Sequence, residues 1–297
     1  MKRAVILINA YTQAQSELNQ PQRIASELSS LGVQTDVVRN GLFPVSLQRK
    51  TLFNRLAQYD FCVYLDKDKY AARLLERSGM RLFNCAEAIE TCDDKMLTLI
   101  ALQGIAPMPK TLPAPLCYSL SQPINEEMLD LVERMLCYPV VVKECFGSLG
   151  KGVHLAHDRF ELRELAQSLK GKPHVFQEFI QESAGCDLRV IVIGGEVVAA
   201  MRRVSETDFR SNAELGGRGE KVSLDEDAAV LCKKIAKTLR LDYCGIDLLF
   251  GKDGYLVCEV NSNAFFGTLE RVTGINVAKA YAEYLIRTVY PSQPHRM

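Results

Sequence analysis

The stretch CGIDLLFGKDGYLVCEVN, residues 244–261, decides how this chain folds near its C-terminal end. Its first seven and last seven residues are rich in apolar and branched side chains, which are typical of β-strands. The four residues between them, GKDG, favour a tight turn. The stretch therefore predicts a β-hairpin.

The length of the hairpin loop sets which side chains share a face. A three-residue loop, residues 252–254 with Gly254 in the left-handed conformation, would place Asp247 directly opposite Glu259. Because side chains alternate along a strand, Asn261 would lie on the same face. A loop of even length would put Asp247 and Glu259 on opposite faces, and we expect the three-residue loop.

These three side chains would suit a hard divalent cation. Carboxylate and amide oxygens are ligands that Mg²⁺ prefers, and Mg²⁺ usually keeps water or phosphate oxygens among its ligands. The hairpin thus predicts a metal site beside a bound phosphate. The alternative is that Asp247 and Glu259 are ordinary polar residues on a solvated face.

Composition bounds the class of protein. The chain has 297 residues, enough for two compact units, and 47% apolar residues, which is typical of a globular protein. Lys plus Arg and Asp plus Glu number 36 each, so overall charge favours neither a nucleic-acid nor a membrane partner, and we expect neither. The first apolar stretch is too short for a signal peptide or a membrane span. Ten cysteines without a Cys-x-x-Cys pair indicate a reducing compartment, so we expect a cytoplasmic protein.

The first ninety residues alternate strand-like and helix-like patterns, which predicts a parallel sheet covered by helices. We expect strands at 4–8, 35–38, 61–65 and 81–83, and helices at 21–31, 47–56 and 70–77. No Gly-x-Gly-x-x-Gly follows the first strand, so this unit is expected to position a substrate rather than a nucleotide.

A glycine-rich loop follows a strand in the middle of the chain. Lys143 ends the strand, and Gly147, Ser148, Gly150 and Gly152 follow. Backbone N–H groups of such a loop can close over phosphate oxygens while the lysine supplies charge. The strand at 153–156 makes the loop a lid rather than a P-loop. The alternative is a plain hairpin with a mobile turn.

Two further segments have the chemistry of a nucleotide and substrate site. The strand ending at Glu178, Phe179 and Ile180 could give an adenine ring apolar contact, and Asp187 could accept from ribose hydroxyls; a surface hinge is the alternative. Arginines and paired glycines cluster at 202–217, where guanidinium forks could bind carboxylate or phosphate. The alternative there is an exposed basic loop.

Taken in this order, the segments resemble the ATP-grasp superfamily, specifically its ribosomal-protein-S6-modification-like (RimK-type) branch of α-L-glutamate ligases. The motifs are Asp94-Lys95, Val142-Lys143 with the glycine loop, Gln177-Glu178-Phe179-Ile180, Asp187-x-Arg189, Phe209-Arg210-Ser211-Asn212, Asp247 and Glu259-Val260-Asn261. The resemblance covers residues 84–274. It implies an α/β (α+β) ATP-grasp fold: a Rossmann-like domain at 1–90, then an ATP-grasp domain at 91–290 with a lid subdomain at about 105–180 and a metal-binding subdomain at about 181–290.

The resemblance also implies roles for individual residues, with ATP and two Mg²⁺ ions, or Mn²⁺, bound. ATP would contact Lys95, Lys143, Gly147, Ser148, Gly150, Gly152, Glu178, Phe179, Ile180, Asp187, Arg210, Ser211 and Asn212. The ions would be held by Asp247, Glu259 and Asn261. Arg210 and Asn212 would stabilise the transferring group. Substrates would contact Arg202, Arg203, Gly216 and Gly217.

The reaction that the resemblance implies joins a carboxylate to an amine through an acyl phosphate. The amine would come from glutamate or a related amino acid, and the carboxylate from a small molecule or a protein C-terminal tail. A homo-oligomer is expected. A D-alanine–D-alanine-type dipeptide ligase and a nucleotide-binding regulator without turnover remain the alternatives. Members that add glutamate usually carry a basic residue before the paired glycines, where this chain has Glu214-Leu215, so the added amino acid stays open.

Overall fold

The strands of this computed structural model, which describes residues 1–212 and 216–291, form separate sheets along the chain. The strands are β1 (Arg3–Ile8), β2 (Gln34–Arg39), β3 (Val45–Gln48), β4 (Thr51–Asn54), β5 (Phe61–Leu65), β6 (Leu82–Phe83), β7 (Thr111–Pro113), β8 (Val140–Glu144), β9 (Val153–Ala156), β10 (His174–Glu178), β11 (Cys186–Ile193), β12 (Glu196–Val204), β13 (Arg218–Lys221), β14 (Tyr243–Gly251) and β15 (Gly254–Asn261). The helices are α1 (Gln15–Ser30), α2 (Lys69–Arg77), α3 (Ala86–Asp93), α4 (Lys95–Leu102), α5 (Glu126–Met135), α6 (Arg159–Leu169), α7 (Glu226–Thr238), α8 (Gly267–Thr273) and α9 (Val277–Val289). The expected mixed α/β class is confirmed.

The N-terminal sheet is parallel and has the strand order β2-β1-β5-β6. The chain leaves β1 in one direction to form β2 and later returns on the other side of β1 to form β5. The carboxyl ends of β1 and β5 therefore flank a topological switch point, which is where open parallel sheets bind ligands.

A second sheet, β7-β10-β8-β9, is antiparallel and carries the glycine-rich loop between β8 and β9. Helices α5 and α6 cover one face through a core that includes Leu129, Leu162 and Phe176. This small core anchors both strands that flank the loop, while the loop itself projects from the sheet.

The third sheet, β13-β12-β11-β14-β15, is antiparallel and contains the sequence-predicted hairpin as β14 and β15. Its loop differs from the expected one. Gly251 pairs with Gly254, so the loop proper is the two residues Lys252 and Asp253 and not three. The expectation of a three-residue loop is wrong, yet Asp247 still pairs with Glu259.

The segment at 47–56, expected to be helical, is a β-hairpin formed by β3 and β4. Arg49 at the turn has φ 52°, a left-handed conformation that ends a helix or closes a tight hairpin. Leu47 pairs with Leu52 across the strands, so short alternation along a strand outweighed the helical spacing. Helix α1 also starts earlier than expected, at Gln15, with Pro21 inside it.

The N-terminal sheet and the third sheet share one core. Ile6 and Phe61 of the first sheet pack in the same buried cluster as Ile191 of β11 and Tyr281 and Leu285 of α9. Because that core continues across residue 90, the division into domains at 90 stays a prediction. Within the described residues, no helix is both long and apolar enough to cross a membrane.

Asn84 joins the N-terminal sheet to the third sheet. Its side-chain nitrogen donates to the carbonyls of Tyr243 and Ser262, both at 2.8 Å, and its oxygen accepts from the N–H groups of Asp242 at 2.7 Å and Tyr243 at 3.0 Å. All four partners are backbone groups, and Asn84 is 1% exposed. Its loss would leave buried polar groups without partners.

We therefore expect Asn84→Ala to lower the free energy of unfolding by about 3 kcal/mol, because each buried polar group that loses its partner costs about 1–3 kcal/mol. Urea unfolding followed by circular dichroism measures the change. Asn19→Ala, on the exposed face of α1, is the matched control and should change stability by less than about 0.5 kcal/mol. Equal losses in both variants would contradict this role of Asn84.

Candidate active site

The predicted metal-binding side chains lie on one face of the hairpin because of a β-bulge. Leu248 pairs with Val257, but the next residue, Asp247, pairs with Glu259, so Cys258 is the extra residue of the bulge. Asn261 lies two positions beyond Glu259 on the same strand. The bulge thus restores the alignment that a two-residue loop alone would have lost.

Asp247 lies in a buried cluster of charges on three neighbouring strands. Arg189 of β11 binds the carboxylate of Asp247 with two guanidinium nitrogens, and its Nη2 lies 2.8 Å from Oδ2. Nη2 of Arg203 on β12 lies 2.9 Å from the same oxygen. Arg203 also forks onto Asp187, with Nε at 2.7 Å from Oδ1. Burial acts to raise the pKa of Asp247, but the positive charges of Arg189 and Arg203 outweigh burial, so the pKa of Asp247 is lowered. For Asp187, burial is the stronger effect and its pKa is raised. Asp247 therefore stays ionised, with both of its carboxylate oxygens paired to guanidinium groups.

The two lysines predicted to bind phosphate approach the hairpin from different elements. Lys95, at the start of α4, has its Nζ 3.8 Å from Oε1 of Glu259 and donates to the carbonyl of Gly147 at 3.1 Å. Lys143, at 8% exposure, has its Nζ 3.7 Å from Sγ of Cys258. The structure thus places both lysines beside the predicted metal ligands and under the lid.

A cavity of about 100 Å³ lies between the second sheet, which carries the glycine-rich lid, and the third sheet. The predicted residues that line it are Lys95, Lys143, Ser148, Gly150, Glu178, Phe179, Ile180, Asp187, Arg203, Arg210, Ser211, Asn212, Asp247 and Glu259. Phe209, which the sequence reasoning gave no role, meets Phe179 edge to face with ring centroids 6.2 Å apart. The apolar end of this cavity is the end expected to take adenine.

A larger cavity of about 460 Å³ lies on the same face of the third sheet, against the N-terminal sheet. Asn9 and Asp66, which follow β1 and β5 at the switch point, line it and hydrogen bond to each other at 3.0 Å. Arg189 lines the opposite wall. The N-terminal unit therefore contributes to this second cavity and not to the smaller one, and its expected task of positioning a substrate stays a prediction.

The two cavities share part of their walls. Ser148, Arg203, Asn212 and Glu259 line both of them. A group bound in one cavity and a group bound in the other would therefore meet at these four side chains.

Some predicted residues lie elsewhere. Arg202 alternates with Arg203 on β12, so its side chain points to the other face, where Nε is 3.0 Å from Sγ of Cys186 and the guanidinium lies over the ring of Phe250. It lines neither cavity, and neither do Gly147, Gly152, Gly216 and Gly217. Residues 213–215, with the Glu214-Leu215 departure, lie outside the described residues.

The guanidinium of Arg210 is held by contacts within the protein. Its Nε and Nη2 donate to the carboxylate of Asp208 at 2.9 and 2.7 Å, and its Nη1 donates to the lid carbonyls of Gly150 and Val153 at 2.9 and 3.2 Å. The N–H groups expected to stabilise a transferring phosphoryl group therefore contact the protein itself.

Arg189 is the main residue to which the sequence reasoning gave no role. A signal was present, because Arg189 is two residues after Asp187 and so shares its face of β11. Only the pairing of β11 with β14, which sets Arg189 opposite Asp247, shows the contact. Gly245 lies beside this contact, and a Cβ there would lie 2.4 Å from Cβ of Ala264 and 3.3 Å from Nη1 of Arg189.

The donor set of Asp247, Glu259 and Asn261 fits an oxygen-preferring cation. The two carboxylates already attract positive charge from Arg189, Arg203 and Lys95. In the part of the chain that the structure describes, no three or more His, Cys, Asp or Glu side chains gather as a metal site. The candidate site therefore depends on an amide ligand.

Comparison with known proteins identifies the family. The family model described as RimK-like ATP-grasp domain matches residues 95–285. Beta-citrylglutamate synthase B of Danio rerio is 38% identical over 239 residues, covering 79% of this chain and 57% of that protein. N-acetylaspartylglutamate synthase A of Homo sapiens is 37% identical over 240 residues, covering 79% and 60%. The chain thus spans less than two thirds of the length of these two relatives.

Solved structures share the fold. D-alanine–D-alanine ligase from Bacillus anthracis, complexed with ATP, superposes with a TM-score of 0.74 at 15% identity over 97% of both chains. The ATP-grasp ligase PsnB, complexed with a minimal precursor, Mg and ADP, superposes with a TM-score of 0.70 at 20% identity over 96% of this chain and 97% of that chain. The fold is the ATP-grasp fold, as expected. The chain belongs to the RimK-like ATP-grasp family.

The neighbouring arginines 202 and 203 provide a test of the charge cluster. Arg203→Met should lower the free energy of unfolding by about 3–5 kcal/mol, because Asp187 and Asp247 would lose their shared buried cation. Arg202→Met, one residue away on the exposed face, should lower it by less than about 1 kcal/mol. Urea unfolding followed by circular dichroism distinguishes the two variants, and similar losses would contradict the assignment of Arg203 to the buried cluster.

Proposed function

We propose that this chain is an ATP-dependent ligase that joins a carboxylate to an amine through an acyl phosphate. The observation that carries the proposal is the common wall of the two cavities, where Ser148, Arg203, Asn212 and Glu259 face both. The γ-phosphate of a nucleotide in the smaller cavity would meet a carboxylate in the larger one at this wall.

The proposed nucleotide position follows from charge and apolar contact. Phe179, Ile180 and Phe209 would enclose the adenine, and Lys95 and Lys143 would contact the phosphates. ATP-grasp ligases use ATP and Mg²⁺; here we propose that Asp247, Glu259 and Asn261 would hold the metal, as two Mg²⁺ ions or as Mn²⁺. When bound, the metal neutralises charge on the phosphates.

In the proposed reaction, an oxygen of the acceptor carboxylate attacks the γ-phosphorus and ADP leaves, which gives the acyl phosphate. The amine nitrogen then attacks the acyl carbon, phosphate leaves, and the nitrogen loses a proton. Arg189 and Arg203 lie at the larger cavity with side chains suited to carboxylate and acyl-phosphate oxygens. We propose that these arginines, rather than Arg202, orient the acceptor.

We propose glutamate as the amine and a small di- or tricarboxylic acid as the acceptor. The two relatives are a beta-citrylglutamate synthase and an N-acetylaspartylglutamate synthase. The larger cavity, about 460 Å³, is in the usual range of small-molecule pockets, roughly 300–1,000 Å³, which favours a small acceptor over a protein tail. The homo-oligomer and the cytoplasmic location stay predictions.

A dipeptide ligase of the D-alanine–D-alanine type is the second candidate. Two carboxylates, Glu17 and Asp66, line the N-terminal wall of the larger cavity, where they could hold the ammonium group of an amino-acid acceptor. A regulator that binds ATP without turnover is the third alternative, and it would leave the second cavity without a task.

Phosphate release with Mg-ATP distinguishes these candidates. Glutamate, aspartate, L-alanine and D-alanine are each paired with citrate, N-acetylaspartate and D-alanine, and products are identified by mass spectrometry. We expect release that requires both an amine and an acceptor, and strongest with glutamate and a di- or tricarboxylate. Turnover with D-alanine alone would favour the dipeptide ligase. Nucleotide binding without release for any pair would favour the regulator.

Glu259→Gln should lower turnover by about a hundredfold or more, because one of the carboxylates proposed to hold the metal would lose its charge. Removal of divalent ions with a chelator should abolish turnover, and adding Mg²⁺ should restore it. The free energy of unfolding, measured alongside, should change little because Glu259 is partly exposed at the cavity wall. Near-normal turnover in this variant would count against the proposed metal site.

Lys143→Ala should raise the apparent KM for ATP about tenfold or more, since a charge-assisted contact to phosphate contributes about 1.5–3 kcal/mol. Steady-state kinetics at saturating acceptor and amine measure the change. Lys252→Ala, an exposed lysine in the turn between β14 and β15 that lines neither cavity, is the matched control for lost charge. An unchanged KM for ATP in Lys143→Ala would remove this lysine from the phosphate site.

A further inference from the structure

One arginine connects the lid to the loop that follows β12. The guanidinium of Arg210 donates on one side to both oxygens of Asp208 and on the other side to the lid carbonyls of Gly150 and Val153. The lid lies between β8 and β9 and the loop follows β12, so this contact spans two sheets. Gly150, Val153 and Arg210 all line the smaller cavity, which has a volume of about 100 Å³.

The loop that carries Asp208 is fixed at its base. The N–H of Gly185 donates to the carbonyl of Phe209 at 2.8 Å, and the N–H of Ser205 donates to the carbonyl of Gly185 at 2.7 Å. Gly185 has φ 67°, and a Cβ there would lie 2.5 Å from the carbonyl oxygen of Ser205, so the two backbones can approach only at a glycine. This base adjoins the segment expected to contact adenine.

Asp208 is in turn held in place by its own loop. Its N–H donates to Oγ of Ser205 at 3.1 Å, and its Oδ1 accepts from the backbone N–H of Arg210 at 2.8 Å as well as from the side chain. Hydrogen bonding from Arg210 lowers the pKa of Asp208, which keeps the carboxylate charged at neutral pH. A fork-to-fork pair of this kind fixes the plane of the guanidinium.

We propose that Asp208 is a positioning residue that aims Arg210 at the lid carbonyls, so that the pair acts as a clasp holding the glycine-rich lid closed over the smaller cavity. Every donor and acceptor in the contact belongs to the protein, so the clasp requires no bound nucleotide. During turnover it keeps water away from the acyl phosphate. The exclusion of water rests on the proposed function, whereas the holding of the lid by Asp208 and Arg210 does not.

Limited proteolysis of the ligand-free full chain tests the clasp. Lys151 is exposed within the lid, so trypsin cleavage after it, identified by mass spectrometry, reports how often the lid opens. Asp208→Asn should accelerate this cleavage about tenfold, because the charge-assisted fork is lost. Asp208→Glu, which keeps a carboxylate for Arg210, should restore slow cleavage at least in part.

Glu206→Gln is the matched control. Glu206 lies in the same loop, is 74% exposed at its side chain, and pairs with Arg218 instead of with the lid. The Glu206→Gln variant should be cleaved at the wild-type rate. Thermal unfolding should show that the Asp208→Asn variant remains folded. Equal cleavage rates for Asp208→Asn and Glu206→Gln would overturn the clasp.

The exclusion of water is tested by the ratio of phosphate released to amide formed, with glutamate and citrate or N-acetylaspartate as substrates. Asp208→Asn should raise this ratio several-fold over the wild type, because water would capture the acyl phosphate. A wild-type ratio in a variant whose lid is cleaved quickly would overturn this part of the proposal. If the wild-type chain forms no amide with any pair, the proposed ligase activity fails, while the proteolysis result still decides the clasp.

Discussion

The buried charge cluster of Asp187, Arg189, Arg203 and Asp247 holds the centre of this molecule together. Each ion loses its hydration on folding, and the loss is offset because each carboxylate faces a guanidinium fork at hydrogen-bond distance. The cluster requires the pairing of β12, β11 and β14 in one register. Once that register is set, Asp247 and Glu259 lie on the face of the hairpin where the two cavities meet.

The larger cavity also requires that the N-terminal sheet stays fixed against this face of the third sheet. The larger cavity has one wall from the carboxyl ends of β1 and β5 and another from the third sheet, so its shape depends on how the two sheets are joined. Asn84 joins them by hydrogen bonds to four backbone groups, and α9 packs in a core common to both. A rigid junction suits a site in which two substrates must meet, because small displacements of a reacting group are costly in rate.

The arginines divide into groups with different tasks. Arg189 and Arg203 are aligned by buried carboxylates toward the larger cavity, Arg210 is aligned by Asp208 toward the lid, and Arg202 lies on the outer face. In each case a neighbouring group decides the direction of the guanidinium. Residue type alone does not assign a task to any of them.

The sequence by itself determined the hairpin, the glycine-rich loop after Lys143, and the parallel N-terminal sheet. These features depend on alternation and short spacing, which are local properties of the chain. The tertiary structure alone decided the bulge at Cys258, which puts Asp247, Glu259 and Asn261 on one face. It also decided the strand pairs at 45–54, which of Arg202 and Arg203 faces the cavities, and the contacts of Arg189 and Arg210. The physical reason is that strand register and ion pairing between distant segments depend on which strands become neighbours, and local spacing does not contain that information.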